Sequence, residues 1–112
     1  KPFFQTMLKY PKFKFSVHCS GWLLDRIRKN NPDIFENIKS LTAMGSIEWI
    51  SAGYYEPVLS SIPSKDRQAQ IDKMNKYIKK YLGVKPKGLW LTERVWESSI
   101  VPDIVASGNE FV

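Results

Sequence analysis

Apolar and polar positions along this chain follow two different periods, and the switches between them predict its elements. Phe3, Phe4, Met7 and Leu8 recur at helical spacing, which predicts a helix over Lys1-Pro2-Phe3-Phe4 and on to Tyr10, with Pro2 in its first turn and Pro11 ending it. Phe13, Phe15 and Val17 then alternate with Lys14, Ser16 and His18, predicting a strand near residues 13–18 with one apolar face. Ser20-Gly21 reads as a turn into a short helix carrying Trp22, Leu23, Leu24 and Ile27. Asn31-Pro32 reads as an N-cap followed by proline at the first helical position, with Ile34, Phe35, Ile38 and Leu41 as the buried stripe and Gly45 as the stop. A second strand is expected over residues 47–52, then a loop to Pro63 with two tyrosines and a helical turn around residues 58–61. Ser64 is expected to cap the longest helix, where Ile71, Met74, Ile78 and Leu82 stay in phase until Gly83. A third strand is expected over residues 88–92, a helix over 98–106 with Pro102 in its first turn, and a fourth strand starting at Phe111.

Strands separated by helices imply crossover connections and a parallel sheet, hence an α/β fold. The pattern suits either a segment of a (β/α) barrel or a doubly wound sheet. Both ends fall inside elements, so the chain reads as a fragment of a larger one.

Charge changes this picture little. The net charge of +6 raises nucleic acid or an anionic surface as partners. Yet Lys65, Lys73, Lys76, Lys79, Lys80, Lys85 and Lys87 are spread as on solvated faces, with no nucleic-acid motif beside them. No nucleic-acid partner is expected. The single cysteine, Cys19, excludes an intrachain disulfide framework and fits a reducing, cytoplasmic compartment. No apolar run approaches the roughly 20 residues that a membrane helix needs.

Candidate chemistry concentrates in Gly88-Leu89-Trp90-Leu91-Thr92-Glu93-Arg94-Val95-Trp96-Glu97. This is a short strand running into a loop, with a carboxylate, a guanidinium and two indoles close together. In parallel strand-helix folds, ligands and catalytic groups collect at the carboxyl ends of strands. Glu93 falls there, although a Glu-Arg pair in such a place is commonly a surface ion pair. Trp90 takes the polar phase of its strand with Thr92, so strict alternation puts Glu93 on the opposite side, and a catalytic role requires a turn that re-aims it. Glu48 interrupts an apolar strand, where a carboxylate is costly to bury unless bonded, and reads either as a structural ion pair or as a site group at the strand's carboxyl end. His18 closes the first strand as a structural or site residue. Tyr54, Tyr55 and Trp90 offer flat faces that suit either core packing or a sugar ring. A metal site is not expected, because no second histidine exists and Cys19 is unpartnered.

Residues Trp90 to Glu97 resemble the nucleophile region of glycoside hydrolase family 57, a thermophile-rich family of α-amylases and 4-α-glucanotransferases. Gly45-Ser46-Ile47-Glu48-Trp49-Ile50-Ser51-Ala52-Gly53-Tyr54-Tyr55-Glu56-Pro57 resembles the block that precedes it in that family, and His18-Cys19-Ser20-Gly21-Trp22-Leu23-Leu24 its His-x-Ser-Gly-x-Leu-Leu stretch. The resemblance implies part of an N-terminal catalytic (β/α)7 barrel, here residues 1–112. It implies a retaining mechanism on α-1,4-glucans or maltooligosaccharides, with Glu93 as the nucleophile, Trp90, Glu48 and His18 binding substrate, and no cofactor. The family's acid/base is an aspartate on a later strand, outside this chain. Two rival readings stand beside it: a non-catalytic carbohydrate-binding barrel, and a basic interaction module.

Overall fold

The computed structural model describes residues 2–112; Lys1, expected at the head of the first helix, lies outside the described residues. Phe15–Val17 (β1), Ile47–Ser51 (β2) and Gly88–Leu89 (β3) form one parallel sheet in that order. Phe111 adds a parallel bridge to Gly88, where the fourth strand was expected. Pro2–Leu8 (α1) precedes the sheet, and helices fill its connections: Gly21–Asn30 (α2), Pro32–Ala43 (α3), Ser64–Leu82 (α4) and Val101–Ala106 (α5). Among the described residues no helix is long and apolar enough to cross a membrane.

The strands are shorter than their hydrophobic patterns predict, because alternation continues past the point where pairing stops. Phe13 donates its N–H to the Tyr10 carbonyl at 3.0 Å, so residues 11–13 are a turn and β1 starts only at Phe15. At the other end of the sheet, Trp90 N–H still reaches the Ser51 carbonyl at 2.7 Å, and then the chain turns into a short 3₁₀ segment at Thr92–Arg94.

Register sorts the side chains. Ser16 lies opposite Glu48, and Ile50 opposite Gly88. Paired residues project to the same face and alternate ones to the other. One face therefore presents Phe15, Val17, Ile47, Trp49 and Leu89, and all of these join the cores beneath the helices. Trp49, Ile47, Leu24, Phe35, Ile38, Leu41, Met74 and Ile78 make the larger cluster; Leu59, Ile71, Leu89, Ile100 and Ile104 make a smaller one. Trp49 is buried with its indole N–H donated to the Thr42 hydroxyl at 2.9 Å, so its one polar atom is satisfied inside the core. The opposite face presents Ser16, Glu48, Ile50 and Gly88, and no described helix covers it.

Local sequence explains most boundaries. α4 carries its expected stripe and ends at Gly83 in the left-handed conformation, φ 74°, a geometry that glycine adopts without a Cβ penalty. Two expected caps differ. Ser64 is the first residue of α4 and its hydroxyl goes to Asp103 at 2.6 Å, leaving Pro63 at the cap position. Asn31 precedes α3 as expected, but its side chain makes no capping hydrogen bond. The last helical segment is split, with a 3₁₀ turn at Ser98–Ile100 leading into α5, and Pro102 sits in the first turn where its missing N–H is harmless.

Gly21 opens α2 against the ring of Tyr54. A Cβ there would lie 2.1 Å from Tyr54 Cδ2, and Gly21 N–H bonds the Tyr54 carbonyl at 3.0 Å. Gly21→Ala is therefore expected to destabilise the fold by about 1–3 kcal/mol through overpacking. Urea denaturation should show a lower midpoint; an unchanged midpoint would mean that the Tyr54 ring moves aside freely.

Candidate active site

Three loops at the carboxyl side of the sheet bring the candidate residues together. His18 follows β1 directly, Tyr55 and Glu56 lie in the loop after β2, and Trp90 follows β3. The His18 imidazole stacks on the Trp90 indole with centroids 5.7 Å apart and planes 11° apart. Its Nδ1 lies 3.3 Å from the Ile50 carbonyl oxygen, and its Nε2 meets the Glu56 carboxylate. Trp90 remains half exposed, at 52%. A shallow hollow lined by Ser20, Trp22, Tyr55 and Glu56 opens at the same end.

Glu93 sits past the end of β3, exposed, and has no hydrogen-bond or ion-pair partner among the described residues. The turn that the sequence required is present. Glu93 has φ 58° and Arg94 φ 56°, two successive non-glycine residues in the left-handed region. Such conformations cost on the order of 1 kcal/mol each and cluster where a side chain has to be aimed. Strand alternation therefore does not govern the direction of Glu93. Thr92, expected beside Trp90 on the polar face, is instead buried with its hydroxyl unpartnered among the described residues. Pairing has ended by then, and the 3₁₀ turn carries Thr92 inward.

Glu48 is the main correction. It is the second residue of β2, on the same face as Trp90 but in the amino half of the strand, not at its carboxyl end. It is exposed, and the Ser16 hydroxyl donates to it at 3.1 Å. The burial argument for Glu48 fails because its face of the sheet carries no helices. Tyr54 is core, packed on Tyr77 at 5.9 Å and on Gly21, while Tyr55 stays exposed with the Lys73 ammonium 4.8 Å from its ring centroid. Glu97 is exposed and accepts from the Ser99 hydroxyl at 3.4 Å. The lysines read as solvated are all exposed.

Sequence reasoning missed two residues. Glu56, at φ 55°, anchors His18 and raises the Cys19 thiol pKa as the lesser cause after burial. Its signal was a carboxylate between Tyr55 and Pro57 just past a strand. Arg67 is buried in α4 and donates to Asp103 Oδ2 at 2.7 Å, and to the carbonyls of Leu59, Ile62 and Ser99 at 2.8, 3.0 and 3.1 Å. This ties α4 to the segment that follows the Glu93 loop. Among the described residues, no three His, Cys, Asp or Glu side chains gather as a metal-binding set.

Compared with known families, residues 1–112 match the Glycosyl hydrolase family 57 profile from end to end. The chain belongs to glycosyl hydrolase family 57. Within this family it is 47% identical to Alpha-amylase 1 of Dictyoglomus thermophilum over 112 residues, all of this chain and 16% of that protein. It is 44% identical over 112 residues to a 4-alpha-glucanotransferase of Thermococcus kodakarensis, again all of this chain and 17% of the relative. The crystal structure of 4-alpha-glucanotransferase from Thermococcus litoralis shares its fold with a TM-score of 0.93 at 42% identity, covering 97% of this chain and 17% of that one. The family 57 chain thus spans about a sixth of the length of the relatives it matches.

Proposed function

We propose that residues 1–112 form part of the N-terminal catalytic (β/α)7 barrel of a retaining enzyme acting on α-1,4-glucans, in which Glu93 is the nucleophile and Trp90 stacks on a sugar ring. One observation carries this reading: the Thr92–Arg94 turn, with two left-handed residues, holds an exposed carboxylate just beyond Trp90 at the carboxyl end of β3. The one-sided sheet supports the barrel. In a doubly wound sheet helices cover both faces, whereas here the face with Ser16, Glu48 and Ile50 is left for the interior of a closed wall. The family match supports the substrate class, since the relatives above carry the names α-amylase and 4-α-glucanotransferase.

Retention requires two carboxyl groups about 5 Å apart, one attacking the anomeric carbon and one protonating the departing oxygen. Glu93 supplies the first; the second is assigned to an aspartate of a later strand. Glu48, exposed lower in the same wall, is placed to accept sugar hydroxyls or to orient another interior group. Hydrolysis and transfer share the nucleophile and differ in whether water or a sugar hydroxyl reaches the glycosyl-enzyme.

The test is product analysis of the full-length protein on maltoheptaose. Products longer than the substrate indicate transfer, shorter ones alone indicate hydrolysis, and either should leave with the α-configuration. Inverted products, or none, would rule the proposal out. Trp90→Ala is expected to weaken glucan binding by about 1–3 kcal/mol, the loss of one apolar ring face, without changing the anomeric outcome. Titration with maltooligosaccharide checks this, and unchanged affinity would remove Trp90 from the sugar site.

A further inference from the structure

His18 was expected to line the sugar site, yet its surroundings leave it little to offer a sugar. Both ring nitrogens already face oxygens, the Ile50 carbonyl and the Glu56 carboxylate, and the side chain is only 17% exposed. No ring N–H is free for a sugar hydroxyl. What His18 does cover is one face of Trp90, nearly parallel to it. Glu56 in turn is fixed by its backbone: its N–H bonds the Gly53 carbonyl at 2.9 Å, and Pro57 packs on Gly53 so closely that a Cβ there would meet its ring at 2.5 Å. Groups from three successive strand ends are thus linked in series, Ile50 and Glu56 holding His18 and His18 stacking on Trp90.

We propose that His18 is a positioning residue for Trp90, fixing the plane of the indole and leaving a single face for a sugar ring, and that it acts on the glucan only through Trp90. The proposal rests on the reading of Trp90 as the stacking platform. An exposed tryptophan without a neighbour on either face samples several rotamers, and ordering it on binding weakens affinity. With His18 clamped by Ile50 and Glu56, the indole is ordered before substrate arrives. The face turned from His18 is the one left for sugar.

The experiment is a double-mutant cycle in the full-length protein, reading KM and kcat for maltoheptaose. His18→Ala is expected to raise KM about 3- to 10-fold, the scale of one lost aromatic pair, with kcat nearly unchanged. In a Trp90→Ala background the same substitution should change KM by less than about twofold, because the residue it acts through is gone. His18→Phe, which keeps a flat ring against the indole, should recover most of the lost affinity; should His18→Ala not fold, the cycle of His18→Phe and His18→Leu with Trp90→Ala makes the same comparison. Equal losses in both backgrounds would overturn the positioning role in favour of direct contact or general destabilisation. If Trp90→Ala alone leaves KM unchanged, the stacking platform itself is wrong, and that failure is distinguishable from the first.

Discussion

Replacing Glu93 with Gln in the full-length protein is expected to abolish turnover of α-1,4-glucans, by on the order of 10³-fold or more in kcat, while glucan binding stays largely intact. Glutamine keeps the size of the side chain and much of its hydrogen bonding, so the turn at Thr92–Arg94 should persist. It lacks the charge and nucleophilicity that a glycosyl-enzyme requires. Two controls separate a nucleophile from a general base or a positioning group. An activated glycosyl fluoride needs little acid assistance, so only loss of the nucleophile blocks its first step. Azide should then restore turnover and yield a glycosyl azide of inverted configuration, the small anion entering the space left by the carboxylate. Near-normal activity of Glu93→Gln, or a retained azide product, would exclude Glu93 as nucleophile and make Glu48 the next residue to replace.

Periodicity made the helices of this fold legible and the ends of its strands illegible, for a physical reason. A helix is closed by its own hydrogen bonds, so the stripe of Ile71, Met74, Ile78 and Leu82 and the glycine after it suffice to place α4. A strand ends where its neighbour stops pairing, and neither Phe13 nor Thr92 carries that information in its own identity. The same gap misplaced Glu48. Its residue type suggested the mouth of a site, but register puts it in the lower half of β2, beside Ser16. Glu93 was legible as a candidate because it combines a strand end with an acid. The left-handed pair that aims it was not, since glutamate and arginine have no preference for that region. Glu56 escaped for the same reason. Arg67 did leave a trace: it lies four residues before Ile71, on the buried stripe of α4, where a guanidinium has to find several acceptors at once.

That position makes Arg67 the residue whose loss should most affect the frame around the site. Its guanidinium makes four hydrogen bonds, three to carbonyls and one to Asp103, with side-chain exposures of 8% and 5% for the pair. Arg67→Ala leaves the buried Asp103 carboxylate without its counter-charge and removes a donor from three carbonyls, and is expected to cost roughly 3 kcal/mol, the scale for removing one partner of a buried pair. Arg67→Lys should recover little, because one ammonium cannot replace a planar fork. Amide hydrogen exchange over residues 98–106 is the appropriate readout, since Asp103 ties this segment to α4; protection there should fall on the order of a hundredfold. The pH dependence follows from Asp103. Hydrogen bonds from Ser64, then from Gln68 and Arg67, hold its carboxyl below the usual range against the opposing effect of burial. A group depressed in the folded state adds stability that is complete above its unfolded value, near pH 3.9, and is lost as pH falls through the folded value. The segment should therefore loosen below about pH 4 in the native protein. Asp103→Asn should be less stable at neutral pH and lack that component of the acid slope. Unchanged protection in Arg67→Ala would show that the apolar contacts of Ile100 and Ile104 alone hold the segment after the Glu93 loop in place.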